Sequence, residues 1–174
     1  FALYTFGSSL EYIMGSKRFL NFYLITGLGA LALQLLVQGF EVYSITGSAL
    51  NNGSFMIDSF KRTISFNPEL MSQDQASTLL GIYLTPMVGA SGAIFGLLIA
   101  FGMLFPNAEL FIMFIPVPIK AKYIIPIYVI LELFLGVKQF SGDSVAHFAH
   151  LGGALFGFIL IRLWHLKRRD NFYE

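Results

Sequence analysis

A serine and a histidine lie in two separate apolar stretches, and small residues surround each of them. Ser91 lies in the segment GASGAIFG at residues 89–96, and His150 lies in the segment AHLGGALFG at residues 149–157. Polar side chains at membrane depth are costly, and those that occur there are usually functional. Neutral imidazole can take the proton of a serine hydroxyl and make it nucleophilic. The two residues therefore predict a nucleophile and its general base within apolar helices.

The composition predicts an all-α polytopic membrane protein. Of the 174 residues, 56% are hydrophobic and 12% charged, with a mean hydropathy of +0.70. Soluble domains carry about 25% charged residues, so this chain is strongly depleted in charge. Its net charge of +1 gives no reason to expect a nucleic-acid partner. Because the sequence contains no cysteine, disulfides, thiolate catalysis and cysteine-based metal sites are excluded.

Apolar segments predict the membrane spans of a single domain. Spans are expected at residues 19–40, 85–105, 123–137 and 145–164, and the third of these is shorter than the others. The second of these contains Ser91 and the fourth contains His150. Residues 1–14 are too short to cross a bilayer alone, and we interpret them as a partial span at the start of a fragment.

The remaining segments are predicted to lie outside the bilayer core. Residues 41–84 are polar and form a predicted extracytoplasmic loop, with a short amphipathic helix near residues 54–65. Residues 106–122 are expected to be interfacial or re-entrant, and residues 165–174 to be a cytoplasmic tail. This orientation follows the excess of lysine and arginine on one side of the alternating spans. It makes the serine and histidine helices run in the same direction, with both polar residues at a similar depth.

Small residues predict close contact between these two helices. Gly92 and Gly96 lie on the serine helix, and Gly153 and Gly157 lie on the histidine helix. Glycine lets helix backbones approach closely in membranes. Backbone N–H groups near Ser91 would also face a developing oxyanion if the helix begins close by.

The joint pattern resembles the rhomboid family of intramembrane serine proteases. The residues that carry the resemblance are GASGA at 89–93 with Gly96, and downstream AHLGG at 149–153 with Gly157. The opening FGSSLE at residues 6–11 is similar to the second helix of that family. The resemblance covers most of the chain and is weakest across residues 41–85.

The resemblance implies a six-helix core that cleaves transmembrane protein substrates through a Ser–His dyad with no third acid. Ser91 would be the nucleophile, and His150 the general base and then the acid for the leaving amine. Phe95 matches an aromatic position that stacks on the histidine, while Gly89 and Ala90 would shape the oxyanion site. No cofactor, metal or nucleic acid is expected. The lipid bilayer is an expected partner, and a bacterial inner membrane the expected location.

One part of the family pattern is missing from the sequence. The resemblance implies a histidine and an asparagine that complete the oxyanion hole, and these would precede Phe1. The bundle is therefore expected to lack its first helix and the start of its second. Oxyanion donors are worth about 3–4 kcal/mol each in the transition state. We expect the chain as given to be inactive or nearly so, and a longer parent to be a protease.

Two other functions remain open at this stage. A non-catalytic rhomboid-like protein would bind transmembrane segments without cutting them. A metal-dependent enzyme would use Asp143, His147 and His150, which are spaced along one helical stripe and could hold zinc. If no metal is bound, His147 is expected to be a polar residue near a helix cap in contact with water or a loop. Glu132 is an acid deep in a span and has no assigned role.

Overall fold

The computed structural model describes residues 2–48, 53–84, 90–112, 115–138 and 146–167. Helices dominate these ranges, and the predicted helical architecture is confirmed. The elements in chain order are α1 (Ala2–Met14), α2 (Ser16–Thr46), β1 (Phe55–Asp58), β2 (Thr63–Phe66), α3 (Gln73–Leu84), α4 (Ser91–Leu104), β3 (Glu109–Ile112), β4 (Ile115–Lys120), α5 (Ala121–Lys138) and α6 (His147–Leu163).

The chain divides into two compact units. The first comprises Phe1–Leu33 with Gly89–Glu174, and the second comprises Gln34–Val88. The core of the first unit is built from apolar side chains of α1, α2, α4, α5 and α6, among them Leu10, Phe22 and Leu97, which are fully buried. This unit contains every residue that the sequence assigns to the candidate site.

The helix α2 is the clearest span among the described residues. It has 31 residues and a mean hydropathy of 1.8, and it alone there is long and apolar enough to cross a bilayer by length and composition. It extends beyond the predicted span at both ends. The helices α4 and α6 are apolar but shorter. Exposed apolar side chains along α2, such as Leu24 and Leu28, present the kind of surface that lipid covers.

The helix predicted near residues 54–65 is wrong, because this segment forms an antiparallel hairpin. Phe55 pairs with Phe66 and Ile57 pairs with Ile64, and these four apolar residues are spaced two apart along their strands, as residues on one face of a hairpin are. The turn is held by Asp58, whose Oδ1 accepts hydrogen bonds from the backbone N–H groups of Phe60 and Lys61, both at 3.0 Å. Such a side-chain turn competes with helix formation.

The helix α3 begins with a reciprocal cap that the sequence analysis missed. The hydroxyl of Ser72 accepts a hydrogen bond from the backbone N–H of Gln75 at 3.2 Å. The side-chain oxygen of Gln75 accepts one in return from the backbone N–H of Ser72 at 2.8 Å. This serine-to-glutamine spacing is a capping box, which satisfies two backbone donors at a helix start. Ala76 and Leu79 of α3 are buried with Phe55 in the core of the second unit.

A second hairpin occupies much of the segment at residues 106–122. Glu109 pairs with Lys120 and Leu110 pairs with Ile119. Phe111 and Val117 are exposed on this hairpin, at 73% and 59% of their surface. The interfacial or re-entrant location of the segment stays a prediction.

The first hairpin gives a test of local stability. Replacing Asp58 with alanine removes the acceptor of two backbone N–H groups, and we expect amide exchange at Phe60 and Lys61 to accelerate about fivefold each, since a hydrogen bond contributes about 1 kcal/mol. Hydrogen exchange with mass spectrometry in nanodiscs measures this. Asp58→Asn is the matched control, because an amide oxygen can accept the same bonds. Exchange at the wild-type rate in Asp58→Ala would contradict the assigned turn.

Candidate active site

Ser91 is the first residue of α4, and its position in the helix determines which backbone donors surround it. The first intrahelical bond runs from the N–H of Ile94 to the carbonyl oxygen of Ala90, at 3.0 Å. The N–H groups of Ser91, Gly92 and Ala93 therefore have no acceptor within the helix. Ala90 provides no side-chain cap. Ser91 is exposed, whereas Gly92 and Ala93 are buried. Gly89 lies outside the described residues.

The helices α4 and α6 touch through their backbones. A Cβ atom on Gly153 would collide with the carbonyl oxygen of Gly92. A Cβ atom on Gly157 would lie 2.7 Å from the carbonyl oxygen of Gly96, closer than real Cβ contacts allow. The structure thus brings all four of these glycines to one helix–helix contact. Any larger residue at Gly153 or Gly157 would force the two helices apart.

The helix α2 packs against the same pair of helices. A Cβ atom on Gly96 would lie 2.6 Å from Cβ of Thr26, and one on Gly92 would collide with the side chain of Ala30. The hydroxyl of Thr26 donates to the carbonyl oxygen of Phe22 at 2.9 Å, so its polar group is satisfied within α2. On α6, a Cβ atom on Gly152 would lie 2.9 Å from Cα of Ala30. Small residues on three helices therefore fix the position of the α4 N-terminus.

His150 lies one turn inside α6 and is buried, with 8% of its surface exposed. Its ring stacks on the ring of Phe95, with centroids 4.2 Å apart and an interplanar angle of 11°. The two rings come from α6 and α4, so the stack spans the glycine contact. Offset parallel stacking holds an aromatic ring in a defined orientation. Phe95 thus restricts how the imidazole of His150 can turn.

The serine and the histidine belong to adjacent backbone segments. A Cβ atom on Gly92, the residue after Ser91, would lie 3.1 Å from the carbonyl oxygen of Ala149, the residue before His150. Within the described ranges, no hydrogen bond joins the two side chains. Catalytic hydrogen bonds are often long in a free enzyme and tighten when substrate binds. The contact places both residues at one end of the α4–α6 pair.

Glu132 on α5 faces both histidines of α6. Its Oε2 lies 2.6 Å from Nδ1 of His147 and 3.0 Å from Nδ1 of His150. The His147 contact is a hydrogen bond. The direction of the His150 nitrogen does not meet hydrogen-bond geometry, and this buried Nδ1 has no hydrogen-bond partner among the described residues. The three side chains are 9–12% exposed.

This cluster changes two expectations for the site. His147 is at the start of α6 as expected, but it is buried and bonded to an acid and does not face water. The resemblance implied a histidine without an acid, whereas the structure places a carboxylate beside His150. The sequence indicated that Glu132 would have a partner, since an acid in an apolar span is costly unless it is paired. It did not indicate which residue of another helix the partner would be.

The predicted metal ligand Asp143 lies outside the described residues, and Glu132 supplies the carboxylate in the cluster. Glu132, His147 and His150 each offer one donor atom, and these three atoms lie within 4.8 Å of one another. Ligand atoms about 2.0–2.1 Å from a tetrahedral zinc ion lie about 3.3 Å apart. The separation of 2.6 Å between His147 Nδ1 and Glu132 Oε2 is shorter and fits a direct hydrogen bond. In this arrangement His147 and Glu132 share a hydrogen bond, and the metal-dependent alternative needs a test of its own.

Comparison with known proteins identifies the family. A family model described as the Rhomboid domain matches residues 1–167. The chain belongs to the rhomboid family. Rhomboid proteins are embedded in membranes and act on transmembrane segments, and most are serine proteases.

One curated relative supports the assignment to the rhomboid family. An uncharacterized mitochondrial rhomboid protein of Schizosaccharomyces pombe is 36% identical over 92 residues. The match covers 49% of this chain and 23% of the relative's length. No solved structure matches the chain. The membrane location is thus supported, but the mitochondrial relative gives no support to the expected bacterial inner membrane.

The glycine contact predicts a clear effect of one added methyl group. We expect Gly153→Ala to destabilise the domain by about 1–3 kcal/mol or more, because overpacking forces backbone shifts. Unfolding in mixed micelles with increasing SDS measures the change. Gly39→Ala on α2 is the matched control, since a Cβ atom there meets nothing within 4 Å. Equal stability of the two variants would contradict the observed α4–α6 contact.

Proposed function

We propose that this rhomboid domain is a serine endopeptidase that cleaves transmembrane substrates within the bilayer through Ser91 and His150. The observation that carries the proposal is the backbone contact between α4 and α6 beside both residues. An exposed serine at a helix start, adjoining a buried and stacked histidine, suits nucleophilic catalysis.

The proposed reaction begins when Nε2 of His150 takes the proton of the Ser91 hydroxyl. Oγ then forms a bond to the scissile carbonyl carbon, and the carbonyl oxygen becomes an oxyanion. His150 donates its proton to the leaving amine as the C–N bond breaks, which leaves an acyl-enzyme. Water attacks this ester while His150 takes one of its protons, and that proton returns to Oγ when the acid is released. This sequence is the general pattern of serine hydrolases.

The start of α4 offers donors for the oxyanion. The N–H groups of Ser91 and its two successors have no intrahelical acceptor, and the positive end of the helix dipole lies at the same place. A negative oxygen formed on the carbonyl attacked by Ser91 would be stabilised there. Shaping of this site by Gly89 and Ala90 stays a prediction.

The direct test uses the full-length protein in liposomes with a fluorogenic transmembrane substrate. We expect Ser91→Ala and His150→Ala each to lower kcat at least about 1,000-fold, as in other serine hydrolases. Ser44→Ala and His165→Ala are matched controls, because both residues are exposed and neither belongs to the candidate site. A fluorophosphonate probe should label the wild type and should not label Ser91→Ala.

Three outcomes would contradict the proposal in different ways. Cleavage that survives Ser91→Ala and stops with a chelator would favour the metal-dependent alternative at Glu132, His147 and His150. Substrate that binds to the wild type without being cut would favour the non-catalytic alternative. Labelling at a serine other than Ser91 would assign the nucleophile elsewhere.

The Phe95–His150 stack gives a graded prediction. Phe95→Leu removes the stack, and we expect kcat/KM to fall about 2- to 10-fold, since such pairs are worth about 0.5–1.5 kcal/mol. Phe95→Tyr keeps an aromatic ring and should retain most activity. Phe158→Leu, at an exposed position on α6, is the control for loss of an aromatic ring. Full activity in Phe95→Leu would show that the stack does not orient the histidine.

A further inference from the structure

One carboxylate oxygen lies close to two imidazole rings in this domain. Oε2 of Glu132 is within 3.0 Å of Nδ1 in both His147 and His150. An ionised carboxylate placed in an apolar bundle is costly unless groups around it donate hydrogen bonds or carry positive charge. The hydrogen bond from His147 meets part of that need, and Nδ1 of His150 lies close enough to the same oxygen to add to it. The same contacts can orient the two imidazoles as well as pack the helices.

We propose that Glu132 is a positioning residue for His150, and that His147 fixes Glu132 in place. The proposal rests on the proposed function, because it describes how the general base of that reaction is oriented. The rhomboid domain would then act through Ser91, His150 and Glu132, and the hydrogen bond from His147 would hold the Glu132 carboxylate in position.

The backbone around Glu132 supports this role. Gly136 lies one turn after Glu132 on α5, and a Cβ atom there would be 3.1 Å from Cβ of His147. The glycine lets α5 approach the start of α6, which sets the short His147–Glu132 hydrogen bond. The carboxylate also lies beside the N-terminal turn of α6, where the helix dipole favours negative charge. Backbone packing therefore fixes the position of the acid.

The contact with Nδ1 determines which nitrogen of His150 can act as the base. A carboxylate facing Nδ1 favours the tautomer with its proton on that nitrogen, which leaves the lone pair on Nε2. Nε2 is the atom that takes the serine proton in the proposed reaction. When the ring becomes imidazolium, the nearby carboxylate stabilises its charge. Because the buried Nδ1 of His150 lacks an aligned partner, a small turn of the ring toward Glu132 would also satisfy a buried donor.

The experiment measures kcat and KM separately for variants of the full-length protein in liposomes. We expect Glu132→Gln to lower kcat about 100-fold while KM changes less than about threefold. This loss is smaller than the roughly 10,000-fold that removal of the acid costs in other serine hydrolases, because the contact between Glu132 and His150 is not aligned. Labelling of Ser91 by a fluorophosphonate probe should slow in parallel. Glu132→Asp should restore part of the rate, since a carboxylate can still face Nδ1. His147→Phe should lower kcat by a smaller factor.

Controls separate this role from a structural one. Glu11→Gln replaces another helical glutamate outside the cluster and should keep wild-type kinetics. Each variant is compared by its SDS unfolding midpoint, so that a loss of kcat in a folded protein is attributed to orientation. Equal kcat in the wild type and Glu132→Gln, with both active, would overturn the positioning role and leave the proposed function standing.

Two further results would also overturn the proposal. If Glu132→Gln and Glu132→Asp lose activity only in proportion to lost folding, the acid is structural. If a chelator abolishes wild-type activity and zinc restores it, the three side chains are metal ligands. An inactive wild type, with no labelling of Ser91, would instead refute the proposed function itself, and with it this inference.

Discussion

The backbone contact between α4 and α6 is the constraint on which the site depends. Lipid tails are as apolar as leucine, so helices in a bilayer gain little from hydrophobic burial and associate through close packing. Gly92 against Gly153, and Gly96 against Gly157, bring the two backbones into contact. The distance between a side chain on α4 and one on α6 can vary little here, because the helices cannot move apart without losing the contact. The distance between the α4 N-terminus and His150 is therefore set by backbone atoms.

The start of α4 at Ser91 combines two properties that a nucleophile needs. An exposed hydroxyl is accessible to a peptide bond, and a helix start leaves N–H donors without intrahelical partners. A serine in the middle of a membrane helix would usually bond to a carbonyl one turn earlier, as Ser8 does with Tyr4 at 2.7 Å. Ser91 is at the first position of α4, so no carbonyl one turn earlier belongs to the same helix. Its chemistry depends on where the helix begins.

Local patterns in the sequence predicted the apolar helices that contain Ser91 and His150, and they did not predict α3 (Gln73–Leu84), which falls in the expected loop. They did not predict the hairpin at residues 55–66, because its turn depends on two hydrogen bonds to one aspartate oxygen. Nor did they predict that Glu132 would pair with His147, which lies 15 residues later in the chain and on a different helix. Periodicity reports which residues share a face of one element. Contacts between elements depend on packing, and here on Gly136, whose effect no local pattern reveals.

The unequal contacts of Glu132 suit the division of roles between the two histidines. A short, aligned hydrogen bond from His147 holds the carboxylate and offsets part of the cost of its burial. The contact to His150 is longer and is not a hydrogen bond, so the proposed role leaves the ring able to turn toward Ser91. Phe95 confines that turning to the plane of the stack. An acid bound tightly to His150 alone would hold the base away from the nucleophile, whereas an acid anchored by His147 orients it without locking it.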